Sequence, residues 1–94
     1  MNNLAMLLKA QGKLDEARPL YEQALEGYRR TLGSSHPHTL SSMWNLATLL
    51  EVVKERVAAA ALLRECLEGW QRVLGPNHQN TIKCKKYMDK LGIE

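Results

Sequence analysis

Phenylalanine is absent from this sequence, and aromatic residues together make up only 5% of its 94 positions. Leu and Ala supply most of the apolar surface, a composition that favours helices over sheets. Uninterrupted apolar runs extend for a few residues, where a membrane span needs about 20. The N-terminus shows no charged-then-apolar leader pattern, so a cytoplasmic protein with no membrane partner is expected. Cysteine is scarce: Cys66 and Cys84 fit neither a zinc spacing nor a disulfide framework, and reduced, buried thiols are the expectation. Also missing are a glycine-rich phosphate loop, a nucleophile elbow and a paired-carboxylate motif. No catalytic residue, cofactor or metal is assigned, and the chain is not expected to be an enzyme.

What is present is helical periodicity. A chain of this length makes one small domain. Residues 2–11 read as a short helix with Leu4, Ala5, Leu8 and Gln11 on one side, closed by Gly12. A second helix is expected from about Leu14 to Thr31, with Asp15 and Glu16 favoured in its first turn by the positive helix end. Its buried stripe is Ala17, Leu20, Tyr21, Ala24, Leu25 and Tyr28, and Pro19 is tolerated near its start. A third begins near Pro37 or His38 and carries Leu40, Met43, Leu46, Ala47 and Leu50. The fourth, Arg56 to Val73, presents Ala59, Leu62, Leu63, Cys66, Leu67 and Trp70. The last, Gln79 to Leu91, shows Ile82, Tyr87, Met88 and Leu91 and stops at Gly92.

The sequence also repeats itself. Asn3-Leu4-Ala5 returns 42 residues later as Asn45-Leu46-Ala47, and Leu25-Glu26-Gly27 returns as Leu67-Glu68-Gly69. Leu32-Gly33 and His36 return as Leu74-Gly75 and His78 at the same offset. A fixed period of this length with two helices per unit is the signature of an α-solenoid, in which stacked hairpins bury faces that none could bury alone. Gly27 and Gly69 cost about 1 kcal/mol each against Ala in a helix interior, which predicts a tight interhelical contact at both.

The order Asn-Leu-Ala, Gly12-Lys13-Leu14-Asp15-Glu16-Ala17, Pro19-Leu20-Tyr21, Ala24-Leu25, Leu32-Gly33 and His36-Pro37 resembles the 42-residue tetratricopeptide repeats of kinesin light chains and their relatives. The resemblance covers nearly the whole chain. It implies an all-α fold of antiparallel helix-turn-helix repeats, stacked as a superhelix whose concave side, lined by the first helix of each repeat, binds peptides. Residues 1–33 then form a truncated first repeat, 34–75 a second, and 76–94 a capping helix. Only Met1 and Asn2 precede Asn3, so the chain is expected to belong to a longer array.

Two departures from that pattern stand out. Gly12-Lys13-Leu14 becomes Lys54-Glu55-Arg56, and no Gly or Pro occurs from His38 to Glu68. A left-handed turn residue is lost beside the run Ala58-Ala59-Ala60-Ala61, so one continuous helix, and through it a domain-swapped homo-oligomer, competes with the ordinary hairpin. The hairpin is the default, because the apolar stripe changes phase between Val53 and Ala59. In the last helix Tyr87-Met88-Asp89 replaces Asn-Leu-Ala, and an Asp at the small-residue position reads as a cap with a polar outer face.

The resemblance places Asn3 and Asn45 on the groove, where an amide bonds the backbone or carboxylate of a peptide. Ser41 and Thr48 lie on the same face, and the cap contributes Lys83, Tyr87 and Lys90. These residues are the candidate peptide-binding site. Within the net charge of +3, the last helix holds Lys83, Lys85, Lys86 and Lys90 against Asp89, which points toward an acidic ligand, although a solvated cap face explains the same lysines more simply. Trp70 is assigned to packing, and Trp44 either to packing or to anchoring a partner. His36 and His78 recur at the repeat offset and are assigned to the joints, not to a metal. Nucleic acid is not the expected partner.

Overall fold

The computed structural model describes residues 11–93. Four helices follow in order: α1 (Leu14–Leu32), α2 (Pro37–Val52), α3 (Arg56–Val73) and α4 (Gln79–Leu91). Each packs on the next, so α2 lies between α1 and α3, and α3 between α2 and α4. The fold is the expected all-α stack of helical hairpins. The short helix read into residues 2–11 falls, but for Gln11, outside the described residues.

Leucine-rich periodicity becomes a core in the order anticipated. Ala17, Tyr21, Ala24 and Leu25 bury one side of α1, and Ala59, Leu63, Cys66 and Trp70 are buried on α3. Leu20, Tyr28, Leu62 and Leu67 sit half-buried at the margins of those stripes. In α2 burial runs nearly all the way round, through Leu40, Met43, Leu46, Ala47, Leu49 and Leu50. A helix enclosed by two others has two faces to hide. Pro19 lies inside α1, and its missing N–H removes one backbone bond without ending the helix.

Both joints are built alike. Gly33 and Gly75 adopt φ of 89° and 91°, a region open to glycine at little cost, and so turn the chain out of the preceding helix. The following histidine then caps the next helix. His36 and His78 take extended backbone conformations, and each Nδ1 accepts a hydrogen bond from the N–H two residues on, at 3.1 Å from His38 and from Asn80. In the second joint Thr81 adds a clamp, its hydroxyl donating to the Gly75 carbonyl at 2.9 Å.

The joint without glycine closes as well. Between α2 and α3 the N–H of Lys54 bonds Glu51 O at 3.1 Å and that of Glu55 bonds Leu50 O at 2.9 Å, the paired bonds of a Schellman motif. Lys54 carries the left-handed backbone at φ 67°, alone among the described non-glycine residues. It stands where Gly12, at φ 78°, stands in the first repeat. The continuous helix that the missing glycine allowed is therefore not formed. Burial of Leu49 and Leu50 before the turn and Ala59 after it fixes the reversal. Ion pairs tie α1 to this turn and to α3: Arg18 to Glu55, and further along Arg29 to Glu65 in a two-pronged contact of 2.9 and 3.0 Å.

Equal glycines in the sequence are unequal in space. A Cβ at Gly69 would lie 2.4 Å from Leu40 Cδ2, so α3 approaches α2 closely there, as predicted. At Gly27 nothing among the described residues comes within 4 Å, so the second tight contact expected there is not made with them. Ile82 differs from its counterpart in the same way. Read among the apolar residues of the last helix, it is 39% exposed, because Leu40, its counterpart, is covered by α3 and no described helix covers Ile82.

Lys54 yields a direct test of the strained joint. Replacing it with glycine removes a left-handed penalty of about 1 kcal/mol, part of it returned as extra entropy in the unfolded chain. Lys54→Gly is expected to raise the midpoint of thermal unfolding, whereas Lys54→Ala, which keeps a Cβ, is not. A melt in which both variants behave alike would contradict the assignment.

Candidate functional site

The side of the stack formed by α2 and α4 holds the candidate site. Ser41, Trp44 and Asn45 project from α2 within little more than one turn, and Asn80, Lys83 and Tyr87 follow at three- and four-residue steps along α4. Ser41, Trp44, Asn45, Asn80 and Lys83 line a cavity of about 250 Å³, to which Trp70 of α3 adds a wall. Two helices that share few backbone contacts are thus joined by side chains.

Aromatic contacts hold this surface in place. Trp44 packs edge-on to Tyr87 with ring centroids 5.1 Å apart, and lies 6.0 Å from Trp70 at an interplanar angle of 50°. The Lys83 ammonium sits 5.7 Å from the centre of the Trp44 ring, a cation–π distance. Burial pushes the Tyr87 hydroxyl above its ordinary range, and the nearby charge of Glu51 adds to the effect, so the phenol stays neutral. Glu51 is itself 3.8 Å from Arg56.

Of the predicted site residues, Ser41, Asn45 and Lys83 line the cavity, and Tyr87 touches its Trp44 wall. Thr48 is half-buried one turn along α2, where its hydroxyl donates to Asn45 O at 2.9 Å. Lys90 is exposed in the last turn of α4 and takes no part in the cavity lining. Asn3 lies outside the described residues. Trp44 is half-buried and Trp70 buried, the latter in agreement with its packing assignment.

Two contributors escaped the reading of the sequence. Asn80 stands three residues before Lys83 on the same face of α4, a spacing that could have placed it. Trp70 escaped because its packing was read and its polar atom was not: the indole Nε1 is buried and has no hydrogen-bond partner among the described residues. The stripe of apolar residues on α3 carries no signal for the direction of that N–H.

The two thiols belong to the core. Cys66 and Cys84 are free and fully buried, with Cys66 Sγ 3.2 Å from Leu40 O and Cys84 Sγ 3.7 Å from Leu63 O. Hydrogen bonding to Cys84, together with burial, pushes the Cys66 thiol far up, so it stays protonated and inert. His36 and His38 stack at 5.1 Å, with the Nδ1 of His36 already engaged in its cap.

Among the described residues no helix is long and apolar enough to cross a membrane. No curated protein matches the sequence. The tetratricopeptide repeat family does match, over residues 1–38 and again over residues 39–80. Repeats of that family generally mediate protein–protein interaction and scaffolding. Two successive matches over a stack of helical hairpins, joined by recurrent Gly-to-His turns, lead to one conclusion: the chain belongs to the tetratricopeptide repeat family.

Proposed function

We propose that the surface between α2 and α4 is a non-catalytic binding groove for a peptide or protein segment. The observation that carries this reading is the cavity of about 250 Å³, in which the amides of Asn45 and Asn80, the Ser41 hydroxyl and the Lys83 ammonium converge beside two tryptophans. Amides offer a donor and an acceptor together, which suits a peptide backbone. Aromatic walls supply rigid apolar contact. The charge of Lys83, with Lys86 beside it on α4, favours an acidic segment. Reduced buried thiols accord with a cytoplasmic setting.

Self-association is the second reading. It is favoured by Lys54, whose left-handed backbone would be relieved in an extended α2–α3 helix, and by Val57, 87% exposed beside that turn. Light scattering decides it. A swapped dimer appears as a mass that rises with concentration and falls back in Lys54→Gly, and a strict monomer at high concentration contradicts it.

For the groove, a peptide selected against the chain from a random library provides the probe. Asn45→Ala is expected to weaken its binding by about 10-fold, the worth of a lost hydrogen bond of about 1.4 kcal/mol, with helicity by circular dichroism unchanged. Unaltered affinity would contradict the groove assignment.

A further inference from the structure

The groove makes no use of the two buried thiols, and the repeat shows that they are peculiar to its second half. A step of 42 residues sets Cys66 against Ala24 and Cys84 against Ser42. The same two buried places thus hold Ala and Ser in the α1–α2 pair, and a thiol on each helix in the α3–α4 pair. No other cysteine occurs in the chain.

Geometry brings these thiols together. Cys66 and Cys84 are fully buried on helices that pack against each other. Cys84 Sγ lies 3.7 Å from the carbonyl oxygen of Leu63, one turn of α3 before Cys66. The two side chains are hydrogen-bonded to each other. Helix axes that pack about 8–10 Å apart bring facing Cα atoms, each about 2.3 Å from its axis, into the roughly 4.4–6.8 Å range that a disulfide spans.

The pair is unequal. Cys66 Sγ has a second partner in Leu40 O at 3.2 Å, and hydrogen bonding to Cys84 together with burial keeps its thiol protonated. Hydrogen bonding from Cys66 holds the Cys84 thiol below its ordinary range, against the opposing effect of burial. Cys84 is therefore the first of the two to reach the reactive thiolate form.

We propose that Cys66 and Cys84 form a reversible disulfide by exchange with a disulfide of the glutathione class, pinning α4 to α3. Both thiols are closed to solvent, so exchange waits on α4 lifting from the stack, an opening that gives up the burial of Thr81, Cys84 and Met88. The Cys84 thiolate then attacks one sulfur of glutathione disulfide, which leaves a mixed disulfide on Cys84 and releases one glutathione thiolate that takes up a proton. As α4 closes, Cys66 attacks Cys84 Sγ, and its proton leaves with the second glutathione. One glutathione disulfide is consumed and two glutathiones are released, while the protein pair gives up two electrons and two protons. An oxidising glutathione pool sets the bond and a reducing one releases it. Because α4 carries Asn80, Lys83 and Tyr87, the bond also holds that surface against α3.

The full 94-residue chain is incubated in buffers of rising glutathione disulfide content, with free thiols trapped by alkylation and the peptides weighed. The expected product is an internal Cys66–Cys84 bond, lighter than the reduced chain by two hydrogens. Its formation should slow amide exchange from Cys84 to Met88 by about 10-fold and raise the midpoint of thermal unfolding by about 10 °C, both reversed by dithiothreitol. Cys66→Ala and Cys84→Ser, which copy the first repeat and are confirmed folded by circular dichroism, should show neither shift. In Cys66→Ala a glutathione adduct should accumulate on Cys84, and in Cys84→Ser the adduct on Cys66 should form about 10-fold more slowly.

Thiols that stay free in excess glutathione disulfide, adducts that never resolve to an internal bond, or a bond between two chains overturn the pairing. Equal adduct rates in the two single variants overturn Cys84 as the point of entry. An internal bond that leaves amide exchange in α4 unchanged overturns the pinning.

Discussion

A helix enclosed on two sides has to be apolar on two sides, and α2 meets that constraint. Its buried residues face α1 in one direction and α3 in the other, and Gly69 lets α3 come close enough to press on Leu40. The repeat supplies its own control in α4, which occupies the same place in the sequence period. There Met43, Ala47 and Leu50 are replaced by Lys85, Asp89 and Gly92, all exposed. Only Thr81, Cys84 and Met88 remain buried. Among the described residues one helix is covered twice and its counterpart once, the pattern that a capping helix would show.

The proposed groove follows from that arrangement. With the apolar sides of α2 and α4 turned toward α3 and the core, their remaining faces bring Trp44 against Tyr87 and Lys83. Joint geometry keeps the two helices in register. Each starts from a histidine cap after a positive-φ glycine, so Ser41 and Lys83 stand at equivalent positions, each five residues beyond its cap. Part of the proposed binding surface is therefore set by turn chemistry some distance from it.

Helix limits were legible because the strongest signals sit at the ends: Gly33, Gly75, Gly92 and the two cap histidines mark them almost to the residue. Burial was legible wherever each repeat has a neighbour. It failed at Gly27 and Ile82, whose counterparts Gly69 and Leu40 touch each other. A repeat in sequence guarantees equal propensity, and equal surroundings only in the interior of a stack. The reversal at Lys54 was legible only indirectly. Loss of glycine argued for one helix, and the hairpin won because two apolar faces out of phase cannot both be buried by a straight rod. In the candidate site, Asn45 could be read from the family resemblance, and Ser41, Lys83 and Tyr87 from their place on the same face or on the last helix. The unpartnered indole of Trp70 could not, since it depends on where a ring edge comes to rest.

The central claim is that α2 is the element the stack is built around and α4 its lightly held cover. Native-state amide hydrogen exchange measures this residue by residue. Amides from Leu46 to Leu50 should exchange only through global unfolding, with protection falling in step with the global stability as denaturant is added. Those from Cys84 to Met88 should exchange through a smaller opening of lower free energy. Protection of α4 equal to that of α2, or α2 amides exchanging first, would contradict the account.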